Sequence, residues 1–438
     1  MVSVSLFLYF RPDATTPDAG DNTGTNFFSQ FNPFGTGGQK PKVDTPPVDV
    51  SGYTPPPEGE IQVVNLKKVS SQPIAGFVTY QKERLVAPMP ILTAVETVPS
   101  DVETSPQEGS KIGTGTPKPT PPLTEFATTL RYVARETGNI FQTFADKIEE
   151  RKFLDITIPK VHEAYFGNHG EVVVMRYLGT DEKTIESFAG SLPKEYLGAD
   201  IINTKFKGEF QRRNILDMSI SPDTTKIFYL FENGNGIVGI TLNLKDNKKT
   251  QIFDSVFTEW SPWWGTEKTI TLSTKPSANV PGFAYRLSPA EGMPSKILGN
   301  INGLTTRMSP DGKTILYSDN NLSLYTYDIG NGNSTTLGVG TLPEKCVWGK
   351  VSDVVYCSVP TSIPFGAYPD AWYQGEVSFS DQLWKIDLKN GNTTLLIDPS
   401  TTPGGEEIDG IKLALDENEN YLFFVNKKDS FLWEFGLK

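Results

Sequence analysis

The sequence predicts an all-β fold, a seven-bladed β-propeller, on three observations. A short turn built on Ser-Pro recurs along the chain: Ser221-Pro222-Asp223 with Lys226, Ser261-Pro262 with Gly265 and Lys268, and Ser309-Pro310-Asp311-Gly312-Lys313. Its copies begin 40 and then 48 residues apart (261 − 221 and 309 − 261), the period of a four-stranded propeller blade. Each copy precedes a short apolar run, such as Ile227-Phe228-Tyr229-Leu230 or Thr314-Ile315-Leu316-Tyr317, whose β-branched and aromatic residues favour strands. Composition agrees: aromatics reach 11% while Gly (39) and Pro (33) gather in particular stretches, as turns and linkers require.

Taken in order, Met1 to Phe10 is almost wholly apolar. It is too short to span a bilayer, which needs about 20 residues, and has no signal-peptide cleavage site. The expectation is the remnant of a membrane anchor, with a stray strand or start-site artefact as the alternative. Residues 11–60 are polar and rich in Pro and Gly, ending near Pro55-Pro56-Pro57, so they read as a disordered stalk. Within them Phe27, Phe28, Phe31 and Phe34 cluster; this reads as a sticky spot in the linker before it reads as a docking motif.

The propeller is expected over residues 61–438. Blade one takes Ile74–Tyr80, Thr129–Arg135, Asn139–Phe144 and Arg151–Ile156, with a low-complexity insertion at about 81–125. Blade two takes His162–Phe166, Val172–Leu178 and Thr184–Ala189, with an outer strand near Ile201–Phe206. Blade three takes Ile215–Ser219, Ile227–Phe231, Gly236–Asn243 and Lys249–Phe253; blades four, five and six follow over 256–298, 305–337 and 346–397. The last blade has three strands, Ile411–Leu415, Tyr421–Asn426 and Phe431–Gly436, and Ile61–Val69 is expected to supply its outer fourth. That closure hides a sheet edge. Six and eight blades are the alternatives.

A formal charge of −12 excludes a nucleic-acid partner, because phosphate binding needs a basic face. Two His and two Cys are too few for the common zinc sites, so no metal and no cofactor is expected. His162 begins a strand and His169 sits in the next turn, which points to structural or surface roles. There is no Gly-x-Ser-x-Gly elbow. Paired carboxylates for glycoside chemistry stay open, since a propeller channel gathers residues distant in sequence.

The cysteines flank a hairpin that turns near Val351-Ser352. If Lys350 faces Asp353, counting back along both strands puts Cys346 opposite Cys357, within reach of a disulfide; two buried thiols are the alternative. Two features suit recognition. In Trp260-Ser261-Pro262-Trp263-Trp264, alternation sends some rings into the core and leaves Trp263 or Trp264 for the rim. Between the second and third strands of blade six, the insertion Pro360 to Asp381 carries Phe365, Tyr368, Trp372 and Tyr373. Such a loop is either a lid packed on a neighbouring blade or a partner site, where Tyr and Trp give large contact area at little entropic cost.

The turn at Ser309 to Lys313, with Ile315-Leu316-Tyr317 and then Leu324-Tyr325-Thr326-Tyr327-Asp328, resembles the Trp-Asp-like propeller repeats of TolB-type proteins. Trp384-Lys385-Ile386-Asp387 matches the third-strand pattern, whereas Asp416-Glu417-Asn418 and Gly167-Asn168-His169-Gly170 depart from the turn. The layout is also similar to membrane-anchored bacterial propeller proteins. The resemblance implies that the first two strands of a blade are joined by the turn, and implies a binding scaffold, commonly outside the cytoplasm, with no reaction. The function expected is non-enzymatic binding of a protein or envelope polymer by one propeller face, on a chain held at the membrane by its N-terminal segment. A carbohydrate-active hydrolase or lyase working at the channel, and a purely structural envelope component, are the alternatives.

Overall fold

Seven four-stranded antiparallel sheets make up the structure, each assembled from strands consecutive in the chain except the last. The computed structural model describes residues 65–86, 123–195, 206–402 and 404–438; the apolar segment, the stalk and most of the low-complexity insertion lie outside these. The first strand of each sheet stands at its inner edge, and several first strands contact the first strand of the next blade, among them those of blades one and two, three and four, four and five, and six and seven. Together the first strands line the central channel. They are Ile74–Leu85, Val161–Gly167, Asp217–Ile220, Trp260–Thr266, Thr305–Met308, Cys346–Trp348 and Gly410–Leu415. We call the face on which they begin the upper face and the one on which they end the lower face.

Second strands read as unbroken apolar runs because both their sides are buried. In blade three Ile227, Tyr229 and Phe231 enter the core shared with blade two, while Phe228 and Leu230 enter the core shared with blade four. The same division recurs at Leu422 and Phe424 against Phe423 and Val425 in blade seven. There is one such apolar core for each of the seven blade junctions.

The Ser-Pro-Asp turns join the first and second strands on the lower face. Ser309 donates its hydroxyl to Asp311 at 2.6 Å and accepts the Thr314 N–H at 3.0 Å, and Gly312 sits at φ +72°. Ser221 and Asp223 repeat this chemistry. Blade four differs from expectation. Ser261-Pro262 lies inside the strand Trp260–Thr266, and the turn comes later, at Glu267-Lys268. Trp260 and Trp264 are committed to the core with blade three, and a first strand has a free channel-side edge where proline is tolerated.

Two further boundaries move. In blade one the first two strands stay paired out to Leu85 and Thr124, so the ribbon reaches into what composition reads as insertion. Blade two's fourth strand is seen over Lys207–Phe210, all four of its residues exposed, while residues 201–205 of the expected Ile201–Phe206 stretch lie outside the described residues. The closing strand is Leu66–Lys68, paired antiparallel with Leu432–Gly436 as the outer strand of blade seven. Cys346 and Cys357 face each other in register, with Cα atoms 4.1 Å apart, and form a disulfide.

The closing blade holds one ill-matched group. Glu434 is 1% exposed, opposite Lys67, and its Oε2 has no hydrogen-bond partner among the described residues. Burial pushes its carboxyl up to about 8, Lys67 opposing and Asp146 and Asp416 adding to the rise. The folded state therefore keeps a proton that the unfolded chain releases near 4.5, and stability falls as pH rises through that window. Glu434→Gln should stabilise the protein by on the order of 2–4 kcal/mol at pH 9 and change little at pH 4. Denaturant titrations at the two pH values check this.

Candidate functional site

The upper mouth of the channel collects charged side chains from first strands remote in sequence. Glu163 comes from blade two, Asp217 from blade three, Arg307 from blade five and Lys412 from blade seven. Two of these strands are bulged: pairing slips between Val161 and Glu163 and between Ile411 and Ala414. Lys412 has φ +52°, a conformation that side chains other than glycine's adopt at a cost. Bulges re-aim side chains, and they gather beside functional sites.

Each group has a distinct environment. Glu163 is ion-paired to Arg176 and accepts the Tyr165 hydroxyl at 3.3 Å. Burial alone would raise its carboxyl, but Arg176 and Lys412 hold it below its ordinary value. Asp217 is in no ion pair among the described residues: its carboxylate accepts the neighbouring Met218 N–H, and burial, with Glu163 adding to it and Arg176 and Lys275 opposing, pushes it up to about 6. Arg307 lays its guanidinium 3.8 Å from the centre of the Trp263 ring, a stacking that suits a planar cation. Glu344, from the connection before blade six, accepts the Tyr373 hydroxyl, and burial raises its carboxyl. Burial, and then Arg176, hold the His162 imidazole below its ordinary value. Among the described residues no group of His, Cys, Asp and Glu is arranged to hold a metal ion.

The six aromatic residues singled out from sequence divide in the fold. Trp263 and Tyr373 come together at the mouth through Arg307 and Glu344. Trp264 is buried in the blade-three junction. Tyr368 and Trp372 are buried too, where with Phe379 they form a small core under the blade-six insertion. Phe365 is fully exposed.

That small core encloses a buried ion cluster that composition does not signal. Lys345, with no exposed side-chain surface, pairs with Asp381 at 2.7 Å and with Asp409. Asp409 also accepts the Trp372 indole N–H at 3.0 Å and the Phe379 N–H at 3.1 Å. Burial opposes its ionisation, but the Lys345 ammonium and these donors outweigh burial and hold it low. Asp381 is instead pushed up to about 6, chiefly by burial. Lys427 adds a bond to the Trp372 carbonyl and sits 4.6 Å from its ring centre. From its far side the insertion reaches blade four, where Asp370 accepts the Ala278 N–H at 2.6 Å. The insertion is fastened rather than free.

A shallow depression of about 280 Å³ on the lower face, between blades two and three, is lined by Lys207, Glu209, Lys245 and Asn247. It gathers no convergent donor set. No protein-family model matches the chain, and no curated protein is significantly similar to it. The TolB-type resemblance thus rests on the turn and third-strand motifs.

Lys345→Met should strand Asp381 and Asp409 in the interior and cost about 3–5 kcal/mol, the range for breaking a buried ion pair from one side. Adding Asp381→Asn and Asp409→Asn should recover part of the loss. Denaturant titration of the two proteins, with hydrogen exchange over residues 361–380, checks both parts.

Proposed function

We propose that the protein is a non-enzymatic binding scaffold outside the cytoplasm, and that its upper face takes a protein or a cell-envelope polymer. One observation carries this reading. The connections of the upper face expose Leu216, Val256, Phe257, Val280, Ile363, Phe365 and Tyr373, around a mouth lined with charged groups. Exposed apolar residues with a polar rim are the anatomy of a recognition surface. The insertion that presents Phe365 and Tyr373 is held by the Lys345 cluster, which limits the ordering cost of binding. The disulfide supports an oxidising compartment, and the Met1–Phe10 segment would serve as the tether.

A second reading is favoured by the uneven titration of two carboxylates at the mouth. Asp217 is raised to about 6 while Glu163 is held low, the division of labour that a glycoside hydrolase asks of its acid and its base or nucleophile. The two readings part in solution. A scaffold releases no reducing ends from envelope polysaccharides; release that Asp217→Asn abolishes establishes the enzyme.

For the scaffold, the decisive comparison is between faces. The full chain carrying Phe257→Ser and Phe365→Ser should capture material from solubilised envelopes at least ~10-fold less well, as loss of two exposed anchors implies. Val351→Ser, which removes an exposed apolar residue from the lower face, should capture as well as the unaltered chain. Equal capture by all three proteins overturns the reading.

A further inference from the structure

We propose that the channel mouth binds a uronate, a sugar unit whose ring bears a carboxylate. The inference deepens the polymer-binding reading of the upper face and rests on it.

It starts from Arg307. Among the described residues its guanidinium has neither a hydrogen bond nor an ion pair, only the Trp263 ring beneath it at 3.8 Å. Glu344 and Asp217 lie near enough to act on its charge without pairing with it. A guanidinium seated 3.8 Å over an indole, with no hydrogen-bond partner among the described residues, keeps its N–H groups available and is held in place before any ligand arrives. Those N–H groups match a carboxylate through two parallel hydrogen bonds.

Lys412 repeats the situation on blade seven. Among the described residues its ammonium bonds only to the Ala75 carbonyl, at 2.8 Å, although Lys412 is an exposed residue. The charges acting on it are one carboxylate, Glu163, against two guanidinia, Arg135 and Arg176. Glu163 is already spent on Arg176, and Arg135 bonds to the Ser430 hydroxyl. This side of the mouth therefore has an excess of positive charge in a protein whose net charge is −12. An anionic group is what both cations lack.

The rest of the mouth argues for a sugar over a bare anion. Asp217 and Glu344 are carboxyl groups whose charged form is disfavoured, and they suit hydroxyl groups, which both donate and accept, better than a second cation. Tyr373, 46% exposed, presents a ring against which the C–H face of a pyranose can lie. A peptide C-terminus would satisfy Arg307 as well but brings no hydroxyl groups for the two acids.

Calorimetric titration of the full chain with glucuronate, glucose, acetate and acetyl-glycyl-glycine tests the assignment. Glucuronate should bind at least ~10-fold more tightly than each of the other three, and more weakly as salt is raised. Arg307→Gln should lose that advantage, Arg307→Lys should recover part of it, and Lys412→Met should weaken glucuronate several-fold. Thermal melts show whether Arg307→Gln folds; if it does not, the exposed Lys412→Met carries the test. Glucuronate binding no tighter than glucose, or undiminished in the variants of both cations, overturns the proposal. So does equal binding of acetate or of the peptide, which would reassign the site to a carboxylate alone or to a chain terminus. Phe257→Ser with Phe365→Ser separates the two levels: if envelope capture depends on them while glucuronate fails to bind, the face reading stands and the uronate assignment falls.

Discussion

Everything in this fold hangs on closing the ring. Seven twisted sheets bury their faces only against neighbours, so each junction core has two blades as its walls and none is complete in an open array. Among the described residues the closing strand is small: three residues, Leu66–Lys68, on the outer edge of blade seven. Its neighbours enlarge it. Val69 donates its N–H to the Leu432 carbonyl at 2.7 Å, Leu432 donates to the Ser70 hydroxyl at 2.9 Å, and Ile74 donates to the Ser430 carbonyl at 2.8 Å. Lys68 pairs with Glu406 and covers the rings of Phe431 and Trp433. The polypeptide then runs straight into the first strand of blade one at Ile74, which with Leu130 of that blade's second strand shares a core with Phe423 and Val425. Chain ends far apart in sequence thus meet in one packed unit, and the channel exists because they do.

Once the ring is closed, the mouth draws on regular first strands for Asp217 and Arg307 and on irregular parts for the rest. Glu163 and Lys412 stand on bulged inner strands, and Tyr373 stands on the insertion. Polar groups in such a place are costly unless paired. The pairing here is uneven, complete for Glu163 with Arg176 but lacking for Arg307 and Asp217 among the described residues. An incomplete set at a solvent-reached mouth is what distinguishes this cluster from the Lys345 cluster, where every charge is enclosed.

How much of this the sequence discloses follows from what each part needs. Apolar runs such as Ile227–Phe231 are visible because burial on two sides demands them. The cysteine register is visible because a tight turn fixes the count on both strands. The Trp263 and insertion signals did mark elements that reach the mouth. Arg307, Asp217, Glu163 and Lys412 left no trace, because they are common residue types scattered over 250 positions and become neighbours only through closure. Lys345, Asp381 and Asp409 were silent for a different reason: nothing in a lone Lys or Asp announces that it will be buried with its counter-ion. The Ser261-Pro262 turn misled because the same dipeptide fits an inner strand with a free edge.

The mouth and the enclosed Lys345 cluster are joined through two pairs of adjacent residues. Glu344 and Lys345 are consecutive residues of the short 3-10 turn Pro343–Lys345 that leads into blade six. Lys345 points into the enclosed cluster and ties the turn to Asp381 and Asp409, whereas Glu344 takes the Tyr373 hydroxyl at the mouth. Tyr373 itself follows Trp372, whose indole is bonded to that same Asp409. Two neighbouring pairs, 344 with 345 and 372 with 373, therefore each send one residue to the cluster and one to the mouth. The exposed tyrosine is held directly by Glu344 and, through Trp372 and Lys345, indirectly by the charges of the enclosed cluster. A ligand gripping Tyr373 or Glu344 pulls on a frame anchored in blades six and seven, so binding at the mouth draws on rigidity that ring closure has already supplied.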